Sequence, residues 1–444
     1  MNIIGAGDMI FGSRRLRERF DPTITELFDR SDAIFANAEF TVPNDSTPAY
    51  PHGYTLGNHR WAAQEMRELG ISLVSGANNH TGDYGHLGVL DTMQAFAEQG
   101  LVLAGVGRTL AEARQAAFAD TAKGRVALIA ASTSGADEFR AADAGRNVAA
   151  RPGLNPLRWR VSYELPPEQF QQILGIEAAL GIDATHRETD RIEIRENLDP
   201  DLTTFGGVPV RRGDAARVRW EVNRHDLDEI RRSIVDASRS GDTVIVSLHA
   251  HEGERDGWYS DQPAEFIVEA AHAMVDAGAH AVFGHGPHML RGIEVYRGAP
   301  IFYSLNGLTF DLESGYRVPV EMYEKYSHPA DAFPSDLHGA RRRGANGERL
   351  GFYSQERFSQ ALLAELETDE KTGGVASVAL HPLDLQMNSE QRSLRGMPRI
   401  AAGDSAETII DELSRLSEPF GTRISFDRTR GVGAVEVEAP AVRA

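Results

Sequence analysis

Cysteine is absent from this 444-residue chain, which excludes disulfides, thiolate metal sites, iron–sulfur clusters and a cysteine nucleophile. Lysine is scarce. Lys123, Lys325 and Lys371 are followed by arginine everywhere else among the 46 basic side chains, which face 65 acidic ones. The formal net charge of −19 gives no net attraction for nucleic-acid phosphates or anionic lipid, so neither nucleic acid nor membrane is expected as a partner. No apolar run approaches the ~18 residues of a membrane span. The opening MNIIGAGDMIFGSRR has no basic region leading into an apolar one and no small-residue cleavage site, so the expected location is the cytoplasm. What is present is ordinary globular composition, 41% hydrophobic and 25% charged, in a length that suits one large domain with insertions or two domains.

Up to residue 135, short apolar runs alternate with helical patterns. Strands are expected at 2–5, 33–40, 72–76 and 125–132, and helices at 24–29, 60–69 and 87–99. The last helix has Leu87, Leu90, Met93, Phe96 and Ala97 at helical spacing, and Gly100 marks its end. The stretch from 134 to about 222 is rich in Arg, Asp, Glu and Pro and reads as an insertion, with a helix near 167–180 and strands near 191–195 and 208–220. Strand and helix patterns then resume, with helices at 226–238 and 263–277, strands at 243–248 and 281–284, and a hairpin of 292–295 with 300–305. Beyond Asp311 a polar segment leads to strands near 361–366, 376–382 and 434–437 and a helix at 406–416. The reading is an α/β core over 1–311 with a C-terminal extension, 312–444, packing on it; alternating strands and helices imply a sheet covered on both faces.

Polar residues gather where the expected strands end, which is where sites collect in open α/β sheets. Five clusters follow in order: Gly7-Asp8, Asn37-Ala38-Glu39, Asn78-Asn79-His80-Thr81-Gly82-Asp83, His249-Ala250-His251-Glu252 and Gly284-His285-Gly286-Pro287-His288. Asp, Glu, Asn and His supply the oxygen and imidazole ligands of a hard or borderline cation. Singly, Asp8 reads as a helix cap, Glu39 as a solvated strand end and His249 as a satisfied core histidine. Five such clusters in succession favour one shared site. The expected cofactor is a single divalent ion, with Ca²⁺, Mn²⁺ and Zn²⁺ all suited to mixed ligands, and no organic cofactor.

These stretches resemble the CapA-like family, named for capsule and poly-γ-glutamate synthesis, within the calcineurin-like metallophosphatase superfamily. The resemblance is carried by GAGDMIFGSR, FANAEFTV, SGANNHTGDYGHLGVLDT, AGVG, SLHAHEGE, AHAMVDAGAHAVFGHGPHMLRGIEVY and IFYSLNGLTFD. It implies a four-layer αββα sandwich with a metal site at the strand C-termini. Segments 134–222 and 312–444 fall outside it. The superfamily opens on Asp-x-His, whereas Ile10 stands two after Asp8; Glu39 stands where a metal-bridging Asp is usual; Gly286 replaces a further His; and Asn306-Gly307-Leu308 replaces Gly-Asn-Phe. By this resemblance Glu39, Asn79, His249 and His285 are the metal ligands, while Asp8 and His288 are too few to hold a second ion and form an acid/base pair instead. His80, at the superfamily's general-acid position, forms a second pair with Asp83.

Two acid/base pairs flanking one cation suit a two-base proton transfer. The family includes lasso-peptide epimerases, which invert the Cα of a C-terminal residue, and the expected activity is inversion of that kind on a ribosomal precursor peptide. A Cα proton beside a carboxylate is very weakly acidic, so a cation must stabilise the charge left behind. Arg14, Arg15 and Arg291 are candidates to clamp the carboxylate, and Trp258 and Tyr259 to line a peptide groove. The alternatives are a metal-dependent phosphoester or amide hydrolase and a component of capsule or poly-γ-glutamate synthesis.

Overall fold

A computed structural model describes residues 1–51, 54–193, 199–315 and 317–437. The N-terminal strand, Asn2–Ile10, is apolar along nearly its whole length and buried from Ile3 onward, as a strand covered on both faces must be. It lies inside a sheet. On one side run Ala33–Ala38, Leu73–Ser75 and Val102–Ala104, all parallel to it. On the other run Gln360–Thr368, Val375–Asp384, Val432–Val435 and Ile424–Asp427, antiparallel in turn. A second sheet has the order Leu290–Tyr296, Ala299–Leu305, Ala281–His285, Thr243–His249, Gly124–Ser132, Ala117–Thr121, parallel through its four central strands.

The sheets pack face to face. Ile3, Phe35 and Leu73 of the first meet Leu128, Ile245, Phe283 and Phe302 of the second, with Phe35 and Phe283 stacked at 5.4 Å. Close approach requires Gly5, where a Cβ would fall 2.3 Å from the Phe283 ring. Helices Pro22–Asp29, Trp61–Glu68 and Gly85–Glu98 cover the outer face of the first sheet. Arg224–Ala237 and Glu265–Ala277 cover the outer face of the second. The architecture is a four-layer αββα sandwich.

Two parts differ from the expectation. Residues after 311 do more than pack on the core. They supply strands to the first sheet, beginning with Gln360–Thr368 against the N-terminal strand, and helix Asp404–Ser417 sends Ile409, Ile410 and Leu413 into the core between the sheets. In the insertion, helix Ile182–Ile192 occupies the start of the strand expected at 191–195, the remainder of which lies outside the described residues. The strand expected at 208–220 is two, Val208–Arg212 and Arg217–Val222. These build a separate four-stranded sheet with Trp159–Leu165 and Leu202–Phe205. Among the described residues no helix is long and apolar enough to cross a membrane.

Candidate functional site

The parallel strands of both sheets end along one edge. Asp8 pairs in register with Asn37 in the first sheet, and His249 with His285 in the second, so the sequence clusters that follow these strands converge. Asp8 is fully buried. Its Oδ1 accepts from Asn37 Nδ2 at 2.8 Å and its Oδ2 from the Gly286 N–H at 2.9 Å. Around it stand His285 Nδ1 at 3.1 Å, His288 Nδ1 at 3.5 Å and His249 Nδ1 at 3.6 Å. The Gly286 contact uses φ +121, a backbone state a side chain rarely adopts, so the histidine common at this position would be strained here. His288 itself holds φ 54, a left-handed conformation uncommon outside glycine.

Glu39 is also fully buried, and among the described residues neither carboxylate oxygen has a hydrogen-bond partner. Three imidazoles face its Oε1: His288 Nε2 at 3.7 Å, His249 Nε2 at 3.8 Å and His80 Nε2 at 3.9 Å. These gaps exceed hydrogen bonds. Gaps of this size leave room for a cation that its ligands would meet at roughly 2.0–2.2 Å. Asn79 Oδ1 lies 2.8 Å from His249 Nε2, so it belongs to the same set. A buried carboxylate without partners among imidazoles fits a divalent ion, and Glu39 with His249, His251 and Asn79 would hold it.

Charge is divided unequally. Burial pushes Glu39 well above the usual carboxylate range, and the charges of Asp8 and Asp83 add to this. Burial acts the same way on Asp8, but hydrogen bonds from His249, His285 and His288 and the charge of His285 together outweigh it and hold Asp8 well below that range. Burial pulls His249 down to about 4. Without a cation, a proton therefore favours Glu39 over Asp8.

The expected residues divide as follows. Glu39, Asn79 and His249 converge. His285, the fourth expected ligand, does not face Glu39: its Nε2 meets Ser247 Oγ at 2.8 Å and its Nδ1 meets His249 and Asp8. It groups with Asp8 and His249 instead. The His80–Asp83 pair is present at 2.8 Å. Asp8 is not reserved for His288, since Asn37, His285 and Gly286 share it. Ile10 packs in the outer-face core. Arg291 cannot clamp a substrate. It is fully buried, and its guanidinium donates to the carbonyls of Ala250, His251, Glu252, Trp258 and Ser260, fixing the loop after Thr243–His249. Arg14 lies along Glu65 and Trp61, and Arg15 beside Glu18, neither of them in the cluster. Trp258 stacks 4.3 Å from the His251 ring. Tyr259 meets Phe352, itself 5.3 Å from His288.

Sequence reading passed over His251 and its support. His251 groups with Glu39 and His249, and its Nδ1 is 2.9 Å from Ser134 Oγ, which also bonds Glu252 at 3.2 Å. The alternation His249-Ala250-His251 was the signal that the two rings share a side; Ser134, 117 residues away, gave none.

The model of the family described as "Bacterial capsule synthesis protein PGA_cap" matches residues 3–311. The uncharacterized protein y4sH of Sinorhizobium fredii is 31% identical over 97% of this chain and 92% of its own length. The PGA biosynthesis protein CapA of Bacillus subtilis is 24% identical over 69% of this chain and 62% of its own. A solved phosphatase from Mycoplasma pneumoniae aligns at 13% identity with a TM-score of 0.38, covering 86% of this chain and 93% of that one. By the span of the family match and by its relatives, the chain belongs to the PGA_cap family of bacterial capsule synthesis proteins.

Proposed function

We propose that the chain is a metal-dependent acid/base enzyme acting on a carboxylate-bearing peptide or poly-amino-acid. The observation that carries this reading is the unpartnered, buried Glu39 carboxylate with three imidazole Nε2 atoms at 3.7–3.9 Å. When bound, the cation supplies positive charge that stabilises negative charge developing on a substrate oxygen. The chain's own part is to position and move protons. Asp83 orients His80 through Nδ1 at 2.8 Å, leaving Nε2 to give or take a proton. Asp8 stands 3.5 Å from His288 Nδ1, an ion-pair contact and not a hydrogen bond, and His288 is the second acid/base group, from the other sheet. Two oriented imidazoles approaching one point from different layers favour inversion at a peptide Cα. One removes the proton, breaking the C–H bond, and the other returns a proton to the opposite face.

The second reading rests on the family. The names of the relatives speak for synthesis of a capsule or polyglutamate polymer, and the same site would then cleave or transfer an amide. One experiment separates them. Purified protein is incubated in deuterated water with a free-acid peptide and with oligo-glutamate, and the products are weighed by mass spectrometry. One deuterium at Cα with the chain intact supports inversion; gain of one water with a new amine supports hydrolysis. Phosphate release from a phosphoester supplied in a parallel incubation, with no exchange on carbon in the other two, would sink both in favour of a phosphatase.

A further inference from the structure

The arginines at 341–343 part company. Arg342 and Arg343 both reach Glu390, at 3.5 and 2.6 Å. Arg341, which closes helix Pro334–Ala340, turns the other way: its guanidinium carbon sits 4.3 Å from the centre of the Tyr326 ring and 4.9 Å from that of Tyr54. Among the described residues no carboxylate pairs with it, in a chain where 65 acids face 46 bases.

Tyr54 joins this arginine to the site. Its ring stands edge-on to His80 at 6.1 Å. Its hydroxyl stays neutral, pushed up to about 12 by burial, so it does not neutralise the guanidinium. A guanidinium stacked on rings keeps its in-plane N–H groups for a partner, and the partner that matches that fork is a carboxylate, held by two parallel hydrogen bonds. We propose that Arg341 is the subsite for a substrate carboxylate, clamped between Tyr54 and Tyr326 beside His80. Its catalytic relevance rests on the acid/base reading above. The carboxylate can be the C-terminus of a peptide or the side chain of a glutamate polymer.

The test is calorimetric titration of the purified full chain with three probes of equal length: a neutral peptide with a free C-terminal carboxylate, an amidated oligo-glutamate, and the amidated neutral peptide. Binding of the first supports a terminal carboxylate and of the second a side-chain one, each with the amidated neutral peptide at least roughly tenfold weaker. Arg341→Met should lose at least roughly tenfold toward the carboxylate probe, and Arg342→Met should lose nothing. Equal affinity in Arg341→Met, equal binding of the amidated neutral peptide, or no binding of either acid by the parent overturns the subsite. Should Arg341→Met fail to fold, Arg341→Lys carries the test. It keeps the charge and lacks the planar fork, so a several-fold loss is expected, and parental affinity overturns the proposal. Metal analysis of the same samples separates the two failures. A parent that holds its cation but binds no carboxylate sinks the subsite alone. A parent that binds the carboxylate through Arg341 yet holds no cation and exchanges no proton sinks the acid/base reading alone.

Discussion

Two buried carboxyls with opposite proton preferences set the behaviour of the site. Glu39 is raised above 4.5 by burial and by its acidic neighbours, so in the cation-free protein its proton stabilises the fold. That stabilisation is complete below the unfolded value of 4.5 and is lost as pH rises through the folded one. A bound cation displaces the proton and reverses the trend. Thermal melts should therefore show metal-stripped protein weakening relative to metal-loaded protein as pH rises above the unfolded value of 4.5; parallel curves would contradict it. Glu39→Gln should bring metal content to background. Ser134→Ala, which removes the hydrogen bond on His251 Nδ1, should weaken metal affinity roughly 10- to 100-fold, read by competition with a chelator. His80→Ala and His288→Ala should each abolish inversion, and one of them should still exchange the Cα proton for deuterium, because exchange needs one base and inversion needs two. Loss of inversion with full exchange in both variants would contradict the pairing of roles.

Among the elements, the junction of Asn2–Ile10 with Gln360–Thr368 is bound by more than its ladder. Glu365 accepts from Asn2 Nδ2 at 2.7 Å and meets His381 Nε2 at 2.8 Å, and the His381 hydrogen bond leads in lowering its carboxyl to about 2. A depressed carboxyl adds stability above its unfolded value and loses it as pH falls through the folded one. Glu365→Gln should cost about 1–3 kcal/mol near neutral pH, after allowance for solvent screening, and the difference from parent in denaturant melts should vanish toward pH 2. This junction also marks the limit of what the sequence made legible. The strand ends of the α/β core announced themselves, since period-2 and period-3.6 patterns gave way to Asp, Asn, Glu and His in five places. The partner of the N-terminal strand could not be read from local pattern, because pairing over some 360 residues leaves no periodic trace. Arg291 misled for a related reason. An arginine after a histidine motif looks like an anion clamp, and only its burial shows that five carbonyls already occupy it. Helix Pro334–Ala340, which brings Arg341 to Tyr54 and Tyr326, is too short for its periodicity to stand out.

On the scale of the whole molecule, the insertion and the C-terminal segment are attached in different ways. Trp159 and Val222 are register partners at the base of the four-stranded sheet, so the chain leaves and re-enters the core at adjacent points. Replacing 160–221 with a two-residue turn should leave metal content and melting cooperativity near those of the parent, while substrate binding is lost if this sheet forms a wall of the cleft. Unchanged turnover in such a folded variant would remove the insertion from substrate recognition. Cutting the chain after residue 358 should by contrast yield insoluble protein, because it strips the neighbour from the strand that carries Asp8. The same pairing has a consequence in time. The strand that bears Asp8 ends at Ile10 and the strand beside it begins at Gln360, so the first leaves the ribosome long before the second. Until then the nascent protein carries an open, apolar sheet edge, and closing it means a long-range search. A host that makes this protein quickly will need chaperone capacity to shelter that edge.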